Sequence, residues 1–135
     1  MAIRMVRLGT PRAAGEGLRI GSVRRPPRGV PKARFAADDW YDVWYPELSP
    51  TPQLMRLGLS SHAEPDSAAS REAWARFERG FRRQMAAPGP ARTLDLLAAL
   101  SHQTDFSLCC YCADEARCHR SLLRALLAAR GARML

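Results

Sequence analysis

The sequence predicts a single α/β domain of three layers, in which a mostly parallel sheet is flanked by helices. The apolar run FSLCCYC, from Phe106 to Cys112, is typical of a strand buried on both faces of a parallel sheet. An amphipathic helix over His119–Arg130 follows it, as in a βαβ unit. The chain has 135 residues, of which 47% are hydrophobic and 25% charged, and this suits one globular domain over residues 1–135.

The other strands are short apolar segments that end at turn signals. Ile3–Leu8 is rich in branched residues and ends at a Gly-Thr-Pro turn. Leu18–Val23 precedes the segment RRPPRGVPK, whose three prolines exclude regular structure, so we expect a loop over Arg24–Lys32. Ala132–Leu135 is expected to begin a last strand.

The helices are predicted from the spacing of apolar residues. Ser70–Met85 is the longest, because four apolar side chains recur on one of its faces, and Pro88-Gly89-Pro90 ends it. Shorter helices are expected over Gln53–Leu59 and Thr93–Leu100. Trp40 and Trp44 also have helical spacing.

The charge of the chain favours anionic partners. The net charge is +8, from 21 basic and 13 acidic residues, and Lys32 is the only lysine. Such an excess attracts phosphates, nucleic acid and other anions. The arginines are scattered, however, and no nucleic-acid-binding motif is present. A small anionic ligand is therefore the favoured partner, and a nucleic-acid-associated accessory protein with an Arg-rich surface is an alternative.

The cysteines and the absence of targeting signals predict a cytoplasmic protein. The sequence has no signal-peptide pattern and no segment approaching the ~20 apolar residues of a membrane helix, so no membrane partner is expected. All cysteines lie between Cys109 and Cys118, whereas a disulfide framework would spread them along the chain. Reduced thiols are therefore expected.

The cysteine segment carries the candidate catalytic residues. Cys118 and His119 lie where a helix begins, and the free N–H groups there favour a thiolate or another anion. Cys118 or Cys112 is the candidate nucleophile or redox thiol, with His119 as its base. Each cysteine can equally be a buried packing residue, since free cysteine packs as a small hydrophobe.

The candidate ligand-binding residues are expected at the carboxyl edge of the sheet, where α/β proteins bind ligands. Arg24 and Arg28 follow the second strand, and Arg120 begins the last helix. Guanidinium groups fit phosphate and carboxylate, although salt bridges to Asp114, Glu115 or Asp39 are the alternative. Trp40 is a candidate cleft wall and Cys110 a candidate contact. No motif for a cofactor is present.

A metal-binding domain is a further alternative. Cys110, Cys112, Cys118 and His119 are residue types that zinc accepts. On a straight strand, however, Cys110 and Cys112 would project about 7 Å apart, too far for one ion. The sequence therefore predicts no metal ligands and no stoichiometric zinc.

The segment LCCYCADEARCHRSLL resembles the bacterial domain of unknown function 488 family (DUF488), including its YeaO-like branch. Members have a strand ending in Leu-Cys, an acidic loop and then Cys-His-Arg-Ser-Leu-Leu, as at Cys110 and Cys118–Leu123. The branch pattern Arg-x-x-Pro-Arg-Gly-Val is similar to Arg24–Val30, and Asp39-Trp40 and the Trp74…Phe77 helix also resemble the branch. The resemblance implies an α/β fold with a Cys-His-Arg site but no particular reaction. A cysteine-dependent enzyme of unknown reaction is a hypothesis that rests on the residues of the site.

The chain departs from the family pattern at two acidic positions. Members usually carry an acid in or just after the second strand, where this chain has Ser22 and Val23. The acid often found two residues after the strand cysteine is Cys112 here. The Cys-His-Arg motif is also unusual in the YeaO-like branch, so the chain combines features of two branches.

Overall fold

The sheet has four strands, all of them parallel. A computed structural model describes residues 1–135. Its strands lie in the order β1-β4-β2-β3, and every neighbouring pair is parallel. Their bounds are β1 Ile3–Arg7, β2 Leu18–Gly21, β3 Val43–Trp44 and β4 Phe106–Cys110. The predicted single α/β domain with a parallel sheet is confirmed.

The central strand β4 is buried along its whole length and ends earlier than predicted. It pairs with β1 on one side and β2 on the other, so that Leu108 lies opposite both Met5 and Ile20. In the last pairings, the N–H of Leu8 donates to the carbonyl of Cys110 (2.8 Å) and the N–H of Ser22 donates to the carbonyl of Cys109 (3.0 Å). Beyond Cys110 neither neighbour continues the ladder, so the predicted strand end at Cys112 is wrong.

Other predicted bounds also change. Strand β2 ends at Gly21 rather than Val23. Ala132–Leu135 forms only one parallel bridge, from Met134 to Ile3. The helical spacing of Trp40 and Trp44 is misleading, because Trp44 belongs to β3 and the chain before it forms a 3-10 helix over Lys32–Arg34 and turns.

Three of the four α-helices begin at residues that suit helix starts. Thr51 caps α1 by accepting the N–H of Leu54 (3.3 Å), and Ser67 caps α2 by accepting that of Ser70 (3.1 Å). Helix α3 begins at Pro88 rather than Thr93, because a proline in the first turn needs no N–H partner. The helices are α1 Pro52–Ser60, α2 Ala68–Met85, α3 Pro88–Leu100 and α4 His119–Ala128. None of them is both long enough and apolar enough to span a bilayer.

The two faces of the sheet are covered differently. On one face the helices form the main core, in which the ring of Phe77 stacks on Trp74 (5.1 Å between centroids) and on Phe81 (5.8 Å). On the other face Tyr41 packs with Cys109, in a segment without α-helices. A Cβ at Gly21 would lie 2.7 Å from the Tyr41 ring, so only glycine fits there.

A buried ion pair lies beneath the segment that covers this second face of the sheet. The side chain of Arg19 is fully buried and pairs with the buried carboxylate of Glu16. Arg19 also donates from Nη1 to the carbonyl of Asp39 (2.6 Å), and Glu16 accepts the N–H of Ala13 (3.0 Å). Next to the pair, Asp42 accepts the N–H of Arg19 (2.8 Å) and a guanidinium N–H of Arg12 (2.9 Å). Every charge in this group therefore has a partner.

This group predicts loss of stability in acid. Burial alone would raise the pKa of Glu16 and the pKa of Asp42, but hydrogen bonds outweigh burial and lower both pKa values. The hydrogen bonds to Glu16 come from Arg19 and Ala13, and those to Asp42 come from Arg12 and Arg19. A lowered folded-state pKa gives stability that is present above the unfolded pKa of about 4 and is lost as the pH falls through the folded pKa. Urea unfolding should therefore show a falling free energy of unfolding below about pH 4.5. A flat profile from pH 6 to 3 would contradict the assignment.

Candidate functional site

Three thiols converge at the carboxyl edge of the sheet. Cys110 ends β4, Cys112 follows two residues later and Cys118 immediately precedes α4. Their Sγ atoms all lie within 4.8 Å of one another. The expected separation of about 7 Å between Cys110 and Cys112 is wrong, because the strand ends at Cys110 and the chain then turns. Cys110 and Cys118 are buried, whereas Cys112 is partly exposed.

Cys109 is separate from this cluster. It points to the opposite face of the sheet, where it is fully buried and packs near Tyr41. Burial raises the pKa of its thiol to about 12. Cys109 is therefore an inert thiol on the same strand, and it provides a control for experiments on the cluster.

The imidazole of His119 is oriented toward the sulfurs. Its Nε2 lies 2.8 Å from the carbonyl of Ser22 and 3.2 Å from the Ser22 hydroxyl, which itself donates to the carbonyl of Cys109 (2.9 Å). Since these oxygens can only accept, we assign the proton to Nε2. The Nδ1 lone pair then faces Cys118 Sγ at 3.6 Å and Cys110 Sγ at 3.8 Å. An edge contact with Phe81, 5.6 Å between centroids, fixes the ring.

The guanidinium of Arg120 lies behind the sulfurs. It is buried, and it donates from Nε to Cys118 Sγ (3.5 Å) and from Nη2 to the carbonyl of Cys112 (2.6 Å). The salt bridge to Asp114, Glu115 or Asp39 that the sequence left open for Arg120 is not formed. Arg120 instead connects the first turn of α4 with the segment that carries Cys112.

The three clustered thiols differ in the direction in which their pKa values are shifted. The thiols of Cys110 and Cys112, together with His119, lower the pKa of Cys118 despite its burial. Hydrogen bonds with its two neighbours and burial raise the pKa of Cys110. Cys110 tends to lower the pKa of Cys112, but Cys118 and burial outweigh it and raise that pKa to about 11. Arg120 supplies the positive charge beside the Cys118 sulfur.

The loop between Cys112 and Cys118 is fastened to the connection between α1 and α2. It contains a 3-10 helix over Glu115–Arg117, capped by Asp114, which accepts the N–H of Ala116 (3.0 Å). The guanidinium of Arg117 donates to the carbonyls of Ser61 (3.0 Å) and Pro65 (3.0 Å). The position of the thiols therefore depends on a segment far away in the sequence.

A cleft of about 430 Å³ opens onto the cluster. Its floor contains two of the clustered thiols and the imidazole of His119. Its walls are mainly apolar side chains from the loop after β2, from α1 and the segment just before it, and from the residue after Cys110. Arg24 and Arg25 also line it. The apolar wall residues are Val23, Pro50, Pro52, Met55, Leu59 and Tyr111.

The sequence-predicted ligand residues are only partly brought together here. Cys110 and Arg24 line the cleft, and Arg24 also donates to the carbonyls of Ser49 (3.0 Å) and Pro50 (3.1 Å). Arg28 is exposed and does not line the cleft. Trp40 packs on the other face of the sheet and contacts the ring of Tyr111 edge-on at 6.2 Å.

Sequence reasoning missed three contributors to this site. Ser22 orients His119 and occupies the position where the family pattern carries an acid, which was the available signal. Arg25 lines the cleft beside Arg24 and stands in the same Arg-Arg pair. The apolar wall from Met55 had no signal, because only the folded chain brings α1 to the end of β4.

The fold and the site define a small α/β domain with a thiol cluster at the carboxyl edge of its sheet. The chain belongs to the DUF488 family: its residues 3–131 match the family model DUF488-N3a, described as the active DUF488-N3 subclade. No curated protein shows significant similarity to the chain. No solved structure does so either.

Proposed function

We propose that the cleft binds a small molecule with an apolar body and an anionic group, and that the Cys112 thiol attacks it as a nucleophile. The observation that carries this proposal is the position of Cys112, which is the partly exposed thiol of the cluster and lines the cleft. Cys118 is 2% exposed and sits behind it. The word "active" in the description of the matching subclade agrees with a catalytic role.

The proposed reaction is a nucleophilic substitution at an electrophilic atom of the ligand. The Cys112 sulfur forms a bond to an electrophilic atom of the ligand, and the bond from that atom to its leaving group breaks with its electron pair. The proton of the Cys112 thiol passes to the neighbouring Cys118 sulfur, which lies within 4.8 Å of it, and the Nδ1 lone pair of His119, 3.6 Å from that sulfur, can accept the proton in turn. Cys112 and His119 are thus the catalytic residues of the proposal, and Arg120 is a positioning residue.

The anionic preference rests on the arginines of the cleft. Arg25 is exposed and lines the cleft, so its guanidinium is available to a carboxylate or phosphate. Arg24 adds positive charge beside it, although two carbonyl groups already engage its side chain. Arg28, which the sequence favours for this role, remains a prediction without a place in the cleft.

Paired alkylating reagents test both parts of the proposal. Neutral iodoacetamide and anionic iodoacetate attack the same sulfur, and mass spectrometry resolves the labelled cysteine. We expect Cys112 to react at least about tenfold faster than Cys109, because Cys109 is labelled only when the core opens. Arg25→Ala should lower the iodoacetate rate at Cys112 by about twofold to fivefold, which corresponds to an exposed charge pair, and leave the iodoacetamide rate unchanged.

Arg28→Ala is the matched control, since it removes the same charge from the same loop outside the cleft. Equal effects of Arg25→Ala and Arg28→Ala on iodoacetate would sink the anionic part of the proposal. Labelling of Cys112 no faster than that of Cys109 would sink the nucleophile.

A further inference from the structure

We propose that the thiol cluster is also a zinc site, with Cys110, Cys112, Cys118 and His119 as its ligands. This inference goes beyond the proposed function, because it requires no substrate and stands on the placement of the four ligand atoms. It also reverses the expectation from the sequence, which depended on a straight strand through Cys112.

The sulfur spacing is close to that of a tetrahedral site. Zn–S bonds of about 2.3 Å place the sulfurs of such a site about 3.8 Å apart. The three sulfurs here lie within 4.8 Å of one another, so each pair has to close by no more than about 1 Å. Cys112 is best able to supply that movement, because it lies beyond the end of β4 and is partly exposed.

His119 is already oriented as a fourth ligand. In a tetrahedral site a histidine nitrogen lies about 3.6 Å from each sulfur, and Nδ1 lies 3.6 Å from Cys118 and 3.8 Å from Cys110. Zinc-bound histidines typically donate their other ring N–H to an oxygen, as Nε2 does to the carbonyl of Ser22 at 2.8 Å. His119 is not in the mutually close set that the three sulfurs form, so binding requires Cys112 to move toward it.

The charges of the assembled site balance. Three thiolates and one Zn²⁺ carry a net charge of −1. The buried guanidinium of Arg120 lies 3.5 Å from Cys118 Sγ and offsets that charge. A buried site without such a partner would carry the cost of an uncompensated charge.

Zinc and an electrophile would compete for the same thiol. The loaded chain should have a masked Cys112, whereas the metal-free, reduced chain should have a reactive one. The labelling experiment on the proposed nucleophile is therefore carried out on the metal-free chain, so that either proposal can fail without the other.

The test is a Zn²⁺ titration of the reduced, metal-free chain in competition with a chromogenic chelator. We expect one Zn²⁺ per chain, at least tenfold protection of Cys112 from iodoacetamide, and at least tenfold weaker binding in Cys112→Ser. With Co²⁺ in place of Zn²⁺, we expect intense visible bands and sulfur-to-cobalt charge transfer, which falls by about a third in Cys112→Ser because one of three thiolates is lost.

Cys109→Ala is the control, because it removes a thiol from the same strand but not from the cluster. It should bind Zn²⁺ as the unaltered chain does. Absence of one-to-one binding, a cobalt spectrum without sulfur charge transfer, or equal affinities for Cys112→Ser and Cys109→Ala would each overturn the zinc site.

Discussion

Replacing Arg19 by methionine is expected to destabilise the chain by about 3–5 kcal/mol, because the change leaves a buried carboxylate without its cation. Methionine fills a similar volume but leaves the Glu16 carboxylate buried, where it retains only the N–H of Ala13. The carbonyl of Asp39 loses its donor as well. Chemical unfolding monitored by circular dichroism measures the loss.

A double variant separates the cost of an orphaned charge from that of lost packing. Arg19→Met with Glu16→Leu removes both charges, and we expect it to be more stable than Arg19→Met alone. Arg34→Ala breaks an exposed pair with Asp38 and should change little. A double variant that is less stable than either single variant would contradict the ion-pair assignment.

Replacing Arg120 by alanine is expected to cost about 3 kcal/mol and to alter the reactivity of the thiols. The change removes two charge-assisted hydrogen bonds of a buried guanidinium, to the carbonyl of Cys112 and to the sulfur of Cys118. The segment that carries Cys112 then loses its connection to α4, so the ratio of Cys112 to Cys109 labelling should change. Unfolding curves and mass-resolved alkylation measure the two effects.

Arg124 provides the matched control, because it lies one turn further along α4 and pairs with the half-buried Glu115 at 2.7 Å. Arg124→Ala should cost less and leave the labelling ratio unchanged. Arg120→Lys should restore the charge but not both contacts, since an ammonium lacks the planar fork. Stability losses of equal size in Arg120→Ala and Arg124→Ala would show that Arg120 does not hold the cluster together.

The sequence predicts the fold class correctly because its strongest signals are local. The apolar run predicts the buried strand β4, and the aromatic side chains that recur along α2 predict the buried face of that helix. The structure has a strand and a helix at these two places. Bounds are less predictable. Where β4 ends depends on Leu8 and Ser22, whose pairing partners are set by the neighbouring strands and not by the run itself.

The sequence predicts where the site lies but not how its side chains are arranged. The Cys-His-Arg motif and the end of the apolar run locate the cluster. The mutual approach of the sulfurs depends on a turn after Cys110, and an estimate based on an extended strand places the sulfurs of Cys110 and Cys112 too far apart. Arg28 is a predicted ligand residue because its loop follows β2 at the carboxyl edge of the sheet, and Trp40 is a candidate cleft wall. Neither position in the sequence shows on which face of the sheet the side chain packs.

The strand order also has a consequence for how the chain folds during synthesis. The central strand β4 lies between β1 and β2 but comes much later in the chain: Ser22 and Cys109, which are hydrogen-bonded, are 87 residues apart in sequence. Such distant pairing slows folding and cannot begin until the late segment has left the ribosome. Until β4 has been synthesised, β1 and β2 therefore lack the strand that lies between them in the sheet.

The thiols meet their partners at that same late moment. Ser22 and His119 are 97 residues apart, so the imidazole acquires its fixed tautomer only when β4 inserts and α4 docks. Until then the cysteines belong to a nascent, solvent-exposed segment with ordinary thiol chemistry. Completion of the sheet and assembly of the cluster are thus one event, and a partly synthesised or partly unfolded chain does not display the site.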